Sequence, residues 1–401
     1  MKILFVTAEG FDTPNPNNQM AASIINGFLD SGFEIHLIQS RRKQIAPEIP
    51  ESLKNRIVLT VDTITRKNVD KSNFIKRYFN DLHYAFQSMR KWKKVKNVDV
   101  IYLQSNPTIF LPMFLLKLFK RKPIVYVIYD VFPGHAYDIG VVKSKAVYKV
   151  MRLVQKPCYR LADRIVVLEQ DMKDKVVEQG AKPEKVKIIP AWYDVNSTKE
   201  VSVENNRFIR KYDIDTSKFY VQFAGTIGYI FRYEAFLELA ERVKSYPDII
   251  IQIIGDGAKK TEFEEKAKEL NLINIKFYPL QPVDLVPDVY STCNVCLIPL
   301  KKGVIGNGIP SKAAILMACH RVIVNSVEIG SAYAQMFCEN KMGVSVDIDD
   351  SDGLAVAIID LFEHPEKISV MADNAQRFGQ EHYSSIASIQ KFIDVFEEFS
   401  E

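Results

Sequence analysis

Three loops in the second half of the chain concentrate residues able to hold an anion. FAGTIGYIFRYEAF places Gly225, Thr226 and Gly228 at the end of an apolar run and just before a helical pattern, with Arg232 following within reach. Small residues at such a place let backbone N–H groups approach a phosphate. A second loop, IIGDGAKK, ends the next apolar run with Gly257. A third, GVIGNGIPSKAAILMAC, carries Gly308 and then Pro310, Ser311 and Lys312 into a helical pattern. Proline near a helix start with a basic side chain beside it is the composition of an anion-binding helix N-terminus. Each loop alone is weak evidence: a G-D-G is more often a strand-ending turn, and Lys312 also reads as a solvated charge near a helix start. At consecutive strand ends, the three converge on one diphosphate.

The elements that must position these loops repeat at short range. KILFVTA is an apolar, β-rich run of the kind buried on both faces of a parallel sheet. The polar loop TPNPNNQ, a helix over MAASIINGFLDSG and a strand at FEIHLIQ complete a βαβ unit. VDVIYLQ, KPIVYVIYD and DRIVVLE continue as strands. After KIIPAWYDV the rhythm restarts with FYVQFAG, IIIQIIGDG, NIKFYPL, CNVCLIPL and HRVIVNS. Strands alternating with helices predict α/β architecture with parallel sheets covered on both faces. At roughly 100 to 200 residues per domain, 401 residues predict two domains. We expect an N-terminal Rossmann-like domain over 1–192, a C-terminal one over 193–383, and a tail helix over 384–401 that rejoins the first, with a cleft between the carboxyl ends of the strands.

Composition narrows the setting. Residues 1–190 hold 32 basic and 18 acidic residues against 21 and 31 in the remainder, so the halves have opposite sign. A basic first half suits an anionic partner such as a membrane surface or phosphorylated lipid. KSNFIKRYFNDLHYAFQSMRKWKKVK interleaves Phe74, Ile75, Tyr78, Phe79, Leu82, Phe86, Met89 and Trp92 with Lys and Arg, and its one acid is Asp81. That is the pattern of an interfacial helix on anionic lipid, or of a core-facing helix with a solvated basic end. No supporting motif points to nucleic acid. Five irregularly spaced cysteines make no disulfide framework, and C-N-V-C at Cys293 and Cys296 reads as part of a buried strand. The start lacks a signal-peptide layout, and IFLPMFLLKLF is too short and interrupted to span a bilayer. We therefore expect a cytoplasmic protein, peripheral at the inner face of the membrane. No G-x-G-x-x-G follows the first strand, which counts against a dinucleotide cofactor.

The succession ADRIVVLEQDMKDKVVEQGAKPEKVKIIPAWYDV, FAGTIG, IIGDGAKK, VPDVYSTCNVCLIPL and GIPSKAAILMACHRVIV resembles the second half of family-four glycosyltransferases, especially those of capsule and O-antigen assembly. The resemblance covers most of residues 145–345. It implies a GT-B fold of two Rossmann-like doubly wound domains facing a central cleft. It also implies a UDP-, GDP- or dTDP-linked sugar held by the C-terminal domain, a glycan acceptor that we expect to be lipid-diphosphate-linked, retention of configuration, and no metal or other cofactor. His and Cys residues form no cluster with metal-ligand spacing, which agrees with the last point.

Carried over by motif, Gly225, Gly228 and Arg232 match the glycine loop and its diphosphate-binding cation, and Ser311 and Lys312 match the start of the pyrophosphate-binding helix. Leu280 and Gln281 match the loop framing the nucleobase. Within YDVFPGHAYD, Tyr129 stands at the usual histidine position, which leaves Asp130 and His135 as groups to orient or deprotonate an acceptor hydroxyl; Asp130 serves equally well as a turn-former. The family's two glutamates, spaced E-x7-E, are here Asn307 and Ile315. Its paired glycines in the first loop are here Asn17, Asn18 and Gln19, so Asn18 and Gln19 become the candidate contacts. These departures keep two alternatives open, a non-catalytic glycosyltransferase-like subunit and a sugar-nucleotide epimerase.

Overall fold

Long apolar runs become the interior strands of two parallel sheets. The computed structural model describes residues 1–12, 16–41, 49–67, 74–138, 140–308 and 310–400, with Pro16, Phe74, Ile75 and Arg77 described by backbone alone. Thr13 to Asn15 of the first polar loop, Lys71 to Asn73, and the side chains of Phe74 and Ile75 from the aromatic stripe therefore lie outside the described residues. The chain divides into two units, Met1–Ala191 with Gly306–Ile309 and Ile386–Glu401, and Trp192–Ile305 with Pro310–Ser385.

The first unit runs β1 (Lys2–Val6), α1 (Pro16–Asp30), β2 (Glu34–Arg41), β3 (Leu59–Thr65), α2 (Phe74–Trp92), β4 (Val100–Gln104), α3 (Phe110–Phe119), β5 (Ile124–Val127), α4 (Gly134–Asp138), α5 (Lys145–Leu161), β6 (Arg164–Val167), α6 (Gln170–Glu178) and β7 (Val186–Ile188). Its seven-stranded sheet has the order β3-β2-β1-β4-β5-β6-β7, with every pair parallel. From β1 the chain steps one way to β2, and from β4 the other way to β5, β6 and β7. Right-handed crossovers then put α1 on one face and α3, α5 and α6 on the other. Helix α1 begins at Pro16 instead of Met20, so Asn17, Asn18 and Gln19 form its first turn.

The second unit runs α7 (Arg207–Tyr212), β8 (Phe219–Thr226), α8 (Glu234–Arg242), β9 (Ile249–Asp256), α9 (Lys260–Glu269), β10 (Ile275–Tyr278), α10 (Val286–Tyr290), β11 (Val295–Pro299), α11 (Lys312–Ala318), β12 (Val322–Val327), α12 (Ala332–Glu339), β13 (Gly343–Asp347), α13 (Ser351–Glu363) and α14 (Pro365–His382). Its six strands, all parallel, have the order β10-β9-β8-β11-β12-β13. The strands absent from the sequence reading, β3, β7 and β13, are all edge strands. An edge strand needs less apolar cover, and β3 (LTVDTIT) buries only Ile64 fully.

The last helix, α15 (Ser385–Glu397), closes the first unit's core. Phe396 is fully buried, with its ring 4.7 Å from Phe28 of α1 and 6.4 Å from Tyr102 of β4. Gly27 gives way to Ile389, whose methyl would lie 2.2 Å from a Cβ at that position. Among the described residues, no helix is long and apolar enough to cross a membrane. Phe396→Ala should cost the first unit about 3–5 kcal/mol in urea unfolding. An unchanged midpoint would mean that α15 adds no packing energy.

Candidate functional site

Strands β8 and β9 run in register so that Gly225 stands opposite Gly255 at their carboxyl ends. Gly225, Gly255 and Gly257 have φ of 135°, 151° and 155°, values that side chains rarely adopt. A Cβ on Gly255 would lie 1.9 Å from the Gly225 carbonyl oxygen, and one on Gly257 would lie 2.4 Å from that of Ile227. The two loops are therefore packed backbone against backbone. The Ile227 N–H donates to Asp256 O at 2.9 Å, and the Lys259 N–H donates to Ile227 O at 3.0 Å. Thr226 is exposed, and a Cβ on Gly228 would meet only the Thr226 methyl, at 3.6 Å.

Lys312, the first residue of α11, reaches back under this glycine loop. Its Nζ sits 3.5 Å from the ring centroid of Phe223 and 4.1 Å from that of Phe231. A Cβ on Gly225 would fall 2.7 Å from Lys312 Cε, so the absent side chain is what admits the lysine. The Nζ atom is buried and makes no hydrogen bond. Burial drives its pKa down from 10.5 to about 7, opposed only weakly by the Cys296 thiol. The two aromatic faces favour the cation, but they replace none of the hydrogen bonds an ammonium makes in water.

The other second-unit candidates take varied positions. Arg232 Nη2 donates to both carboxylate oxygens of Glu238, at 2.7 and 2.8 Å, so its charge is matched within the unit. Gln281 is saturated: it donates to Tyr212 Oη at 2.9 Å and to Pro279 O at 2.7 Å, and accepts from Lys211 Nζ at 3.1 Å. Leu280 beside it is 63% exposed. Pro310 is buried and Ser311 half-buried, the latter with helical backbone angles and no capping bond from its hydroxyl. Ile315 is half-buried on α11.

Four candidates come together in the first unit. His135 Nδ1 lies 3.9 Å from Asp130 Oδ1. Asp130 keeps 53% of its side-chain surface open, yet desolvation still raises its pKa, against the pull of His135. A Cβ on Gly308 would be 3.2 Å from Asp130 Oδ1 and 3.5 Å from His135 Nδ1. Buried Asn307 accepts the Val131 N–H at 2.8 Å through its backbone oxygen and donates from Nδ2 to Asp138. Gly134 has no room for a side chain because Asn307 Oδ1 would lie 2.3 Å from its Cβ. In α1, buried Asn18 donates to Gly10 O at 2.7 Å, and Gln19 is exposed.

Residues 18–197 match the description Glycosyltransferase Family 4, and residues 204–378 match Glycosyl transferases group 1. The chain is 26% identical over 326 residues, 80% of each chain, to the probable glycosyltransferase WbjE of Pseudomonas aeruginosa. To a protein of Escherichia coli named putative colanic acid biosynthesis glycosyl transferase WcaI it is 25% identical, over 73% of this chain and 72% of that one. The chain belongs to the family-four glycosyltransferases. Solved structures share its GT-B fold. Sucrose-phosphate synthase of Thermosynechococcus elongatus superposes with a TM-score of 0.76 at 14% identity, over 99% of this chain and 98% of that one. Anabaena HepE, solved with UDP, superposes with a TM-score of 0.73 at 15% identity, over 99% and 100%.

Phe223 and Phe231 escaped the sequence reading of this glycosyltransferase's site. They read as core aromatics, and nothing in their spacing shows that they converge on a lysine some 80 positions away. Glu238 escaped it too, as an ordinary acid in a helical pattern. Cys293 and Cys296 are both buried, with sulfurs 3.3 Å apart. Burial pushes the Cys296 thiol pKa well up, which leaves it inert.

Two predictions follow from the packing. Gly255→Ala should lose roughly 2–4 kcal/mol of stability, whereas Gly228→Ala should stay within about 0.5 kcal/mol, both read by chemical denaturation. Equal losses would refute the backbone contact. Because the Lys312 amine titrates near 7 when folded and at 10.5 when unfolded, the unfolded chain binds the extra proton between those values, so the strain of burying the charge is greatest below pH 7 and fades as pH rises. Lys312→Met should thus stabilise the free protein, by roughly 1–3 kcal/mol at pH 6 and by less at pH 9.

Proposed function

We propose that this glycosyltransferase moves a sugar from a nucleoside-diphosphate sugar to a growing glycan, with retention of anomeric configuration, during assembly of a surface polysaccharide. The observation that carries the reading is the buried Lys312 amine, without a hydrogen-bond partner beneath the glycine-lined ends of β8 and β9. A departing diphosphate gains negative charge as the glycosidic bond breaks. A preorganised ammonium in a desolvated setting stabilises that charge more than it stabilises the intact donor, which lowers the barrier. Lys312 in this role supplies the positive charge that a bound metal supplies elsewhere, so the reaction needs no resident metal. The open backbone at Gly225, Thr226 and Gly228 would admit the phosphates, and exposed Leu280 offers an apolar surface to the nucleobase. Arg232 is more naturally a support for the loop, through Glu238, than a direct phosphate ligand.

In the first unit, Asp130 and His135 would orient the acceptor hydroxyl. The raised Asp130 pKa suits a group that takes and returns a proton. The names of WbjE and WcaI support a polysaccharide role, and a lipid-diphosphate-linked glycan is the acceptor we propose, met by a protein that sits peripherally on the anionic inner face of the cell membrane. UDP-glucose is the first donor to test, since HepE was solved with it.

Thermal denaturation against UDP, GDP, dTDP and their sugars tests the donor. A ligand at a hundred times its dissociation constant stabilises the folded state by about 2.7 kcal/mol. One nucleotide class should raise the melting temperature of the wild type and leave Lys312→Met unmoved; no shift from any donor would defeat the reading and favour a subunit without catalysis. Binding the diphosphate should return a proton to Lys312, so affinity should fall by up to about tenfold per pH unit above 7 in the wild type, and calorimetry in buffers of different ionisation enthalpy should register the uptake. Asp130→Asn should lower kcat by about 100-fold or more with donor affinity unchanged.

A further inference from the structure

Between Ile139 and Ala162 the chain has six basic residues and no acid. Helix α5 fills most of this stretch. It buries Gln155, Cys158 and Tyr159 against the first sheet, where Gln155 donates to Tyr126 Oη at 2.9 Å. Its outer side shows Val147, Val150, Leu153 and Val154, with Val150 at 60% and Leu153 at 70% exposed. At about 100° per residue these four share one arc, and Lys145, Lys149, Lys156 and Arg160 share the arc beside it.

The direction of each arc follows from its neighbours. Arg152 lies 3.9 Å from Glu178 of α6, and Lys156 packs beside Gly180, so the basic arc is on the α6 side. The apolar arc is therefore on the side of α3, where Phe114 and Leu118 are also exposed. Among the described residues, Lys145, Lys149, Lys156 and Arg160 form no ion pair, which leaves their charges open to an external anion. Protein-binding surfaces are poor in lysine at their centres. An exposed aliphatic band edged by unpaired lysines instead matches the boundary between lipid headgroups and acyl chains.

We propose that α5, extended by the outer residues of α3, seats the enzyme on an anionic lipid surface. Val147, Val150, Leu153 and Val154 enter the headgroup layer, while the adjoining cations meet lipid phosphates. This rests on the membrane-surface reading above and names the element responsible for it. The sequence left α2 open between an interfacial and a core-facing helix; there Phe79 and Phe86 are exposed, but Trp92 and Tyr84 are buried and Lys91 is paired with Asp62.

The test is sedimentation of the full chain with vesicles of phosphatidylcholine alone or mixed with phosphatidylglycerol. The wild type should bind the mixed vesicles, and added salt should weaken that binding. A Val150→Glu, Leu153→Glu double variant should bind at least about tenfold more weakly at unchanged melting temperature, because both side chains already face solvent. A Phe79→Ser, Phe86→Ser variant on α2 should bind like the wild type. If the α5 variant binds as well as the wild type, α5 is not the docking element, although the membrane reading stands. If the wild type ignores mixed vesicles, both fall. A wild-type dimer that the α5 variant converts to monomer, with vesicle binding unaffected, would reassign the face to a second copy of the chain.

Discussion

Each sheet is parallel and covered by helices on both faces, and the placement of every functional group follows from this constraint. The side chains of interior strands such as β1, β4, β8 and β9 are spent on the core. Polar chemistry is left with the carboxyl ends, where the chain turns toward the next helix. There the second unit places glycine where other residues would place bulk. Gly225 and Gly255 meet across β8 and β9 so closely that no side chain fits between them, and the depth gained is occupied by the Lys312 amine.

That amine is costly for the free protein. It has left water without gaining a hydrogen bond, and the rings of Phe223 and Phe231 compensate only in part. In the proposed function, a group held in this condition would meet the desolvation cost before the anion arrives. Arg232 presents the contrary case. Its guanidinium is paired with Glu238, so a cation that looks equivalent in sequence has its charge matched within the unit.

In the first unit, the segment around Asn307 and Gly308 packs against the loop from Asp130 to Asp138. Asn307 gives its backbone oxygen to Val131 and its amide to Asp138, which holds Asp130 and His135 in place. An amide can do both at once. A glutamate at this position would bring a second negative charge against Asp138, so the departure from the family's pattern is matched by a neighbouring acid in this chain.

Much of this was legible from residue order alone. Apolar β-rich runs alternating with helical patterns determined the α/β class, because a strand buried on both faces must be largely apolar, with any buried polar side chain paired, as Gln222 is with Gln252. Glycines at successive strand ends marked where the β8 and β9 loops pack backbone against backbone, because only glycine lets backbones approach so closely. The edge strands β3, β7 and β13 were hidden, since partial exposure relaxes the apolar pattern that reveals a strand. The tertiary structure alone decided which cation stays unpaired, because Lys312 meets Phe223 only after β8 and α11 have been brought together. It also decided that α5 turns Val147, Val150, Leu153 and Val154 outward and that Trp92 of α2 turns inward. A helical stripe in sequence reads the same whether it faces a core or the outside, and only the neighbour packed against it tells the two apart.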